Sequence, residues 1–212
     1  MSSGPDRFLP GLSAAILAGG SSRRFGSDKA LAAAAGRPLL AHPARLLGQL
    51  VDDLFVLARD SSDYGFLGLR VKTDLRPGLG PLSGVHAALS HARHPRVLVT
   101  ACDMPCPDER LLRHLATVRA GPQVVVPCSP RGIEPLLAIY DRACLPAVEE
   151  ALDAGRLSLA RLVERLPHER IPWSTVSELV DGRDPFVNVN TRDDLERLTR
   201  TLGHREADLD ED

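Results

Sequence analysis

The stretch AAILAGG, residues 14–20, decides the fold class. Its first five residues are an unbroken apolar run, which is typical of a strand that is buried on both faces. The glycine pair that follows predicts a turn at the end of this strand. Further apolar runs at 54–58 and 97–100 alternate with stretches of helical spacing. This alternation predicts an α/β protein with a mostly parallel central sheet between two layers of helices.

Other segments complete the predicted order of elements. Asp108 and Thr191 are of the residue types that favour helix N-caps, and helices are expected to follow each of them. The remaining strands are predicted at 69–71, 124–126, 135–139 and 186–190, and the helices at 38–50, 82–92, 109–119, 141–153, 159–166 and 192–202.

Length and composition indicate one ordinary globular domain. The chain has 212 residues, of which 43% are hydrophobic and 25% charged, and its net charge is −2. These values exclude a collagen-like or wholly disordered chain. They also argue against a polycation that coats nucleic acid. We expect a loose segment at 1–12, a single domain at 13–203 and an acidic, disordered tail at 204–212.

Targeting signals are not apparent in the sequence. No apolar stretch reaches the ~18–20 residues that span a bilayer, and the first residues lack a basic segment followed by an apolar one. The four cysteines have neither CxxC nor zinc-site spacing, which indicates isolated thiols in a reducing compartment. A cytoplasmic location without membrane contact is therefore expected.

The loop after the first strand is suited to an anion. It reads LAGGSSRRFGSDKA from residue 17 to residue 30, with Arg23, Arg24 and Lys29 as its three bases. Glycines allow backbone N–H groups to approach a phosphate closely. The pattern is neither a Walker A motif nor GxGxxG. It predicts a polyphosphate site, and the alternative is an ordinary exposed turn.

Polar residues at the ends of other strands are the second group of candidates. Asp103 comes soon after the apolar run 97–100, and Mg²⁺ is often held by one or two carboxylates together with phosphate oxygens. Asp74 follows another strand. Asn188 and Asn190 alternate along a late strand-like run. Turn or capping roles are the alternatives for the aspartates, and loop hydrogen bonds for the asparagines.

Six motifs in order resemble those of nucleotidyltransferases that form a diphosphate bond from a nucleoside triphosphate. Within that group the chain is most similar to the molybdenum cofactor guanylyltransferases. The resemblance spans residues 14–198, nearly the whole chain. The motifs are LAGGSSRRFGSDKA (17–30), GRPLL (36–40), PGLGPLSG (77–84) preceded by Asp74, CDMP (102–105), EPLLAIY (134–140) and FVNVNTRDDL (186–195).

This resemblance implies a Rossmann-like three-layer α/β/α nucleotidyltransferase fold. It also implies transfer of GMP from GTP to molybdenum-bearing molybdopterin, with Mg²⁺ as cofactor. Other proteins of molybdenum cofactor biosynthesis are implied partners. The implied nucleotide-binding residues are Leu17, Ala18, Gly19, Gly20, Lys29, Asp74 and Asp103; the implied catalytic residues are Arg24, Lys29 and Asp103; Asp103 is the implied metal ligand, and Asn188 and Asn190 lie on the pterin side.

Two alternatives stay open at this point. A related transferase that uses CTP, or another phosphorylated acceptor, would have the same loop and the same metal-binding aspartate. A nucleotide-binding protein without catalytic activity could instead assist cofactor delivery. Lys29 and Asp103 together argue against this second alternative, because a protein that only binds a nucleotide has no need of a metal ligand.

Overall fold

The structure is a computed structural model that describes residues 8–18, 28–59, 62–118 and 121–209. Its strands are β1 (Leu12–Leu17), β2 (Ala33–Ala34), β3 (Arg37–Pro38), β4 (Asp53–Leu57), β5 (Arg70–Lys72), β6 (Arg96–Ala101), β7 (Val124–Ser129), β8 (Gly132–Ile133), β9 (Leu137–Asp141) and β10 (His168–Ile171). Its helices are α1 (Ala41–Leu50), α2 (Pro81–His91), α3 (Glu109–Thr117), α4 (Leu145–Asp153), α5 (Leu159–Arg165), α6 (Trp173–Leu179) and α7 (Arg192–Leu209).

The main sheet has the strand order β10-β7-β9-β6-β1-β4-β5. Strand β1 lies between β4 and β6 and is parallel to both. The pairs β4–β5 and β7–β10 are also parallel, whereas β9 is antiparallel to its neighbours β6 and β7. The short β8 pairs with β7, and β2 and β3 form a separate hairpin. The prediction of a mostly parallel sheet in an α/β protein is confirmed.

Helices cover both faces of this sheet, which explains why residues 14–17 of β1 are an unbroken apolar run. Ala14 and Ile16 point into the core cluster that contains residues of α1, α3 and α6. Ala15 points into the opposite cluster, which contains residues of α2, α4 and α5. All three side chains are completely buried. A polar residue at any of these positions would have to be buried without water, which costs free energy unless a partner is present.

The predicted strand at 186–190 is wrong. This segment is irregular in the structure, although Phe186 and Val189 are fully buried. Val189 belongs to a small cluster with Ala34, Leu39 and Leu198 of α7. Its N–H group donates a hydrogen bond to the carbonyl oxygen of Asp103 at 2.9 Å. The apolar pattern therefore reflects the burial of Phe186 in the main core and of Val189 beneath α7, and not the side-chain alternation of a paired strand.

Both predicted helix caps are present. The carboxylate of Asp108 accepts hydrogen bonds from the N–H groups of Arg110 and Leu111, at 2.9 and 3.4 Å. The Thr191 hydroxyl accepts from the N–H group of Asp194 at 3.1 Å. Strand β10, helix α6 and the β2–β3 hairpin were not predicted from the sequence.

The described residues hold together without disulfide bonds or membrane-spanning helices. Cys102, Cys106, Cys128 and Cys144 are all free thiols. No helix in this part of the chain combines the length and the apolar character that crossing a bilayer requires.

A buried carboxylate joins four parts of the chain at the amino end of β4. Asp53 is 2% exposed. Its carboxylate accepts hydrogen bonds from the Ser13 hydroxyl at 2.6 Å, the Arg93 N–H group at 2.8 Å and the Arg70 guanidinium. Burial raises the pKa of Asp53, but these donors and the nearby guanidinium charges outweigh it, so the pKa lies below its ordinary value.

We predict that Asp53→Asn lowers the free energy of unfolding by about 3 kcal/mol at neutral pH, because a buried network loses its charged centre. Urea unfolding measures this loss. Asp52→Asn is the matched control, since the Asp52 side chain is 66% exposed and pairs with His94, and it should cost under about 1 kcal/mol.

The difference between wild type and Asp53→Asn should also depend on pH. Because folding depresses the pKa of Asp53, its stabilisation is present above the unfolded value of 3.8 and is lost as pH falls through the folded value. A loss of stability that stays the same down to the acid-unfolding range would contradict the assigned charge.

Candidate functional site

A cleft of about 680 Å³ lies at the carboxyl ends of the parallel strands β1, β4, β5 and β6. Ligands of open α/β sheets bind outside this edge of the sheet. Its lining combines charged side chains with glycine- and proline-rich backbone. The lining residues are Leu17, Ala18, Asp28, Lys29, Ala30, Arg59, Thr73, Asp74, Pro77, Gly78, Gly80, Pro81, Ala101, Cys102, Asp103, Leu136 and Asn190.

A lysine with two oxygen partners forms the centre of this cleft. The Lys29 Nζ atom lies 3.2 Å from Oδ2 of Asp103 and 3.0 Å from Oδ1 of Asn190. The Lys29 side chain is only 13% exposed, and that of Asp103 is 32% exposed. The three residues come from the end of the loop after β1, the end of β6 and the segment before α7. We call them the Lys29–Asp103–Asn190 cluster.

Backbone contacts fix Asn190 within this cluster. The neighbouring residue Val189 is bonded to the carbonyl oxygen of Asp103. The Asp194 carboxylate accepts hydrogen bonds from the N–H groups of Asn190 and Thr191, at 2.9 and 2.8 Å. These bonds hold the pKa of Asp194 well below its ordinary range. The start of α7 therefore sets the position of the Asn190 amide.

Lys29 is fixed from its own side by Asp28. One Asp28 oxygen accepts from the N–H group of Ala30 at 3.0 Å and so caps a short 3-10 turn at Lys29–Leu31. The other oxygen accepts from the hydroxyl of Tyr64, whose ring is 2% exposed. The buried tyrosine thus anchors the residue that precedes Lys29.

The opposite wall of the cleft is the segment 73–81, which leads into α2. Gly80 has φ +74 and ψ −158 at the N-cap of α2, a conformation that glycine adopts readily and other residues rarely do. Asp74 is half-buried in this wall. Burial raises the pKa of Asp74, and the Ser83 hydroxyl and the charge of His86 oppose that rise in part.

Among the described residues that line the cleft, the one thiol, that of Cys102, is not an activated nucleophile. Burial and the neighbouring Asp103 carboxylate raise the pKa of the Cys102 thiol to about 12, which keeps it protonated near neutral pH. No group of three or more potential ligands forms a metal site among the residues described by the structure. A metal held by Asp103 would accordingly take its other ligands from a bound substrate, as Mg²⁺ often does with phosphates.

The structure brings together six of the residues singled out from the sequence. Leu17, Ala18, Lys29, Asp74 and Asp103 line one cleft, and Asn190 joins them. Asn188 is exposed and is not among the lining residues. Gly19, Gly20, Arg23 and Arg24 lie outside the described residues, so their predicted phosphate contacts stay predictions.

Sequence reasoning missed three residues of this region. Arg59 lines the cleft two positions after β4, and the rule that ligands bind at carboxyl strand ends could have identified it. Asp28 and Tyr64 form a pair separated by 36 residues, and no local pattern indicates such a contact.

The chain contains two lysines, Lys29 and Lys72, against 24 arginines. A lysine in the cleft is therefore notable in a chain that almost always has arginine as its base. The lysine ammonium is a compact charge with three donors, whereas the guanidinium is a planar fork. In the cleft, Asp103 and Asn190 both lie within 3.2 Å of the one ammonium nitrogen.

Comparisons with known proteins agree with this geometry. The family model described as a MobA-like NTP transferase domain matches residues 14–170. A probable molybdenum cofactor guanylyltransferase of Pelotomaculum thermopropionicum is 37% identical over 85% of this chain and 88% of its own length. One from Deinococcus radiodurans is 40% identical over 89% and 94%. Molybdopterin-guanine dinucleotide biosynthesis protein A from Archaeoglobus fulgidus has a similar crystal structure, with TM-score 0.79, 28% identity and coverage of 91% and 99%.

Close packing beneath the cleft yields a prediction about Gly84 of α2. A Cβ atom at Gly84 would lie 2.8 Å from Cδ1 and 3.1 Å from Cδ2 of Leu17. We therefore expect Gly84→Ala to displace the Leu17 side chain from its place at the cleft and to cost about 1–3 kcal/mol of stability. Chemical denaturation measures the loss.

Gly48→Ala is the control for helix propensity. Gly48 lies inside α1, and its added Cβ would approach only Leu54, at an ordinary 3.8 Å. That variant should gain about 0.4–1 kcal/mol, since alanine restricts the unfolded chain. If both variants were equally stable, Gly84 would have no packing role.

Proposed function

Because the chain belongs to the MobA-like NTP transferase family, whose model matches residues 14–170, we propose that it transfers GMP from GTP to molybdenum-bearing molybdopterin. The products are the guanine dinucleotide form of the cofactor and pyrophosphate. The names of relatives at 37% and 40% identity, which cover most of both chains, support the reaction class and both substrates.

The observation that carries this proposal is the Lys29–Asp103–Asn190 cluster at the carboxyl edge of the sheet. It combines a sheltered ammonium with a half-buried carboxylate, and Lys29 lies at the end of a glycine- and arginine-rich loop. A triphosphate needs cationic donors, and a carboxylate beside it is useful where a cation is bound with the phosphates.

In the proposed reaction, an oxygen of the terminal phosphate of molybdopterin attacks the α-phosphorus of GTP. A new P–O bond forms there, and the bond between the α-phosphorus and the bridging oxygen of pyrophosphate breaks. The nucleophile is already an anion, so no general base is required. Positioning and charge neutralisation supply the rate enhancement.

Lys29 acts on the charge that develops during this transfer. Its ammonium is preorganised by Asp103 and Asn190, so it need not reorganise when negative charge grows on the leaving pyrophosphate. Arg24 is proposed as a second donor in the preceding loop. Neither residue exchanges a proton with the substrates.

Asp103 would hold a divalent cation, which we propose to be Mg²⁺. Lys29 contacts Oδ2 of Asp103, and within the described residues Oδ1 makes no hydrogen bond. One carboxylate at a partly exposed position fits a cation that also binds phosphate oxygens. When bound, the cation would supply positive charge to the triphosphate.

The nucleoside and the pterin are assigned to different walls. Asp74 and the backbone of Leu17, Ala18, Gly19 and Gly20 are proposed to bind the nucleotide, since a carboxylate can accept from base N–H groups or ribose hydroxyls. Asn190 and Asn188 are proposed for the pterin side. Asn190 contributes directly to the cluster, whereas Asn188 would act from the exposed rim.

Pyrophosphate release from Mg²⁺-GTP and Mg²⁺-CTP tests the proposal, with molybdopterin supplied on a carrier protein. Release that requires both GTP and the pterin supports it. Release with CTP instead of GTP would show that the transferred nucleotide is CMP. The cleft could still be the site, because a cytidylyltransferase would use the same cleft. Tight nucleotide binding without release would indicate another acceptor or a protein that only binds nucleotides.

We predict that Asp103→Asn reduces kcat/KM by about 10²–10³-fold, the scale of losing one electrostatic group at a reacting centre. The amide keeps the shape of the side chain but lacks the charge that a cation needs. Steady-state pyrophosphate release measures the effect, and Asp52→Asn serves as a control on the opposite edge of the sheet. If Asp103→Asn had an activity close to that of wild type, Asp103 would have no role in the reaction.

Lysine should be required at position 29 for its shape as well as for its charge. Lys29→Met is expected to lose about 2–4 kcal/mol of transition-state stabilisation. Lys29→Arg keeps the charge and should still lose about tenfold or more in kcat/KM, because a planar guanidinium cannot replace the ammonium between its two partners. Lys72→Arg, at the other lysine of the chain, should leave kcat/KM unchanged. Equal activity of Lys29→Arg and wild type would reduce the role of Lys29 to charge alone.

A further inference from the structure

A second cavity, of about 360 Å³, lies beside α1 and shares no lining residue with the cleft. It is formed by one face of α1, the β2–β3 hairpin, the segment after β6 and one residue of α7. Its lining residues are Arg37, Ala41, His42, Arg45, Leu46, Gln49, Pro105, Cys106, Pro107 and Leu202. We call this cavity the basic groove, because three of these described residues are bases and none of them is an acid.

The two arginines of the basic groove have no other partner to neutralise them. Arg37 and Arg45 are exposed, and in the part of the chain that the structure describes neither guanidinium forms a hydrogen bond or an ion pair. The third base, His42, donates from Nε2 to the carbonyl oxygen of Ala34 at 3.0 Å, which fixes its ring beside the groove. A guanidinium binds a carboxylate through two parallel hydrogen bonds. The charge of the groove is therefore complementary to a ligand that carries carboxylates.

The shape of the basic groove favours a peptide over a small anion. Ala41, Arg45 and Gln49 recur at every fourth position of α1, and at 1.5 Å per residue this row is about 12 Å long. An extended peptide of about four residues has the same length. The remaining surface is largely apolar and includes Leu46, Leu202 and two prolines. An inorganic phosphate would leave most of it uncovered, whereas an acidic segment with an apolar side chain would match both the charge and the apolar surface.

The basic groove is supported by the same residues as the cleft. Cys106 and Leu202 line the groove and pack against the small apolar cluster that contains Val189. Val189 in turn donates to the carbonyl oxygen of Asp103, which lines the cleft. One apolar cluster thus holds both sites in place, so the groove and the cleft are neighbours that can be occupied separately.

We propose that the basic groove is a docking site for a short acidic segment of a partner protein. Carboxylates of that segment pair with Arg37 and Arg45, and an apolar side chain lies against Leu46 and Leu202. A partner docked there is next to the cleft without occupying it, as suits a protein that delivers a substrate or accepts a product. This inference goes beyond the proposed reaction, and binding in the groove does not depend on that reaction.

The test is isothermal titration calorimetry without nucleotide, with the synthetic hexapeptide DLEDLE, its ends blocked, as the probe. Wild type should bind this peptide at low salt, and the affinity should fall as salt rises, because exposed charges are screened. The peptide NLQNLQ keeps the shape and the leucines but has no charge, and DSEDSE keeps the charges but has no leucine. Each of these should bind wild type about tenfold more weakly than DLEDLE.

The variant Arg37→Ala/Arg45→Ala should bind DLEDLE about tenfold more weakly than wild type and should no longer prefer it to NLQNLQ. Arg161→Ala/Arg165→Ala is the matched control. It also removes two exposed arginines, from α5 on the opposite face of the sheet, and changes the net charge equally. Its affinity for DLEDLE should stay within about twofold of wild type. Thermal unfolding checks that both variants are folded.

Four results would each overturn the inference. The first is that wild type does not bind DLEDLE even at low salt. The second is an equal loss of affinity in both double variants, which would mean that only net charge is sensed. The third is displacement of the peptide by inorganic phosphate at matched ionic strength, which would indicate a small-anion site. The fourth is a tenfold gain in affinity when the five acids of residues 206–212 are changed to amides, which would make the chain's own end the occupant.

Discussion

Asp103 is the residue on which the site depends, since it bonds two distant segments to the end of the central strand β6. Its carboxylate accepts from Lys29, which is 74 residues earlier, and its carbonyl oxygen accepts from the N–H group of Val189. Lys29 and Asn190, 161 residues apart, are thereby brought within 3.0 Å. The sheet supplies the rigid support that such a cluster needs, because β6 is paired on both sides and buried on both faces. Preorganised charge is effective only when it is held in this way.

Much of the fold and of the cleft follows from the sequence, and the failures have identifiable causes. Buried central strands such as β1 and β6 contain apolar runs, at 14–17 and 97–99, so they are easily predicted, but apolarity does not reveal that β9 runs antiparallel. Strand β10 reads His-Glu-Arg-Ile at the sheet edge and lacks the apolar signal altogether. The segment 186–190 has the apolar pattern of a strand but does not form one. Its buried residues, Phe186 in the main core and Val189 beneath α7, produce a similar pattern. The rule that binding residues follow the carboxyl ends of strands identified Lys29, Asp74 and Asp103 as candidates. Contacts between distant segments, such as Tyr64 with Asp28, depend on the folded geometry and leave no local trace.

The two helical layers differ in what they contribute. On the first face, α1 and α3 supply apolar side chains to the core. On the other face, α2 follows Gly80 at the cleft, begins with Pro81 and packs closely on Leu17 through Gly84. Helix α4 then supports α2 and the cleft wall through Glu149 and Asp153. This wall of the cleft is thus built in successive layers, with the segment 73–81 against α2 and α2 against α4.

Because Asn190 comes late in the chain, the cluster can be completed only late in synthesis. Most of the sheet, including β1, β4 and β6, is encoded well before this residue, so the strands can pair while the last partner of Lys29 has yet to be made. At the usual rate of ~5–20 residues per second, the 161 residues between them take roughly 10–30 s to translate. In the later part of that interval, once Asp103 has been made, a nascent chain can hold Lys29 and Asp103 together but has an incomplete cluster. Full assembly of the cleft therefore waits for the segment that leads into α7.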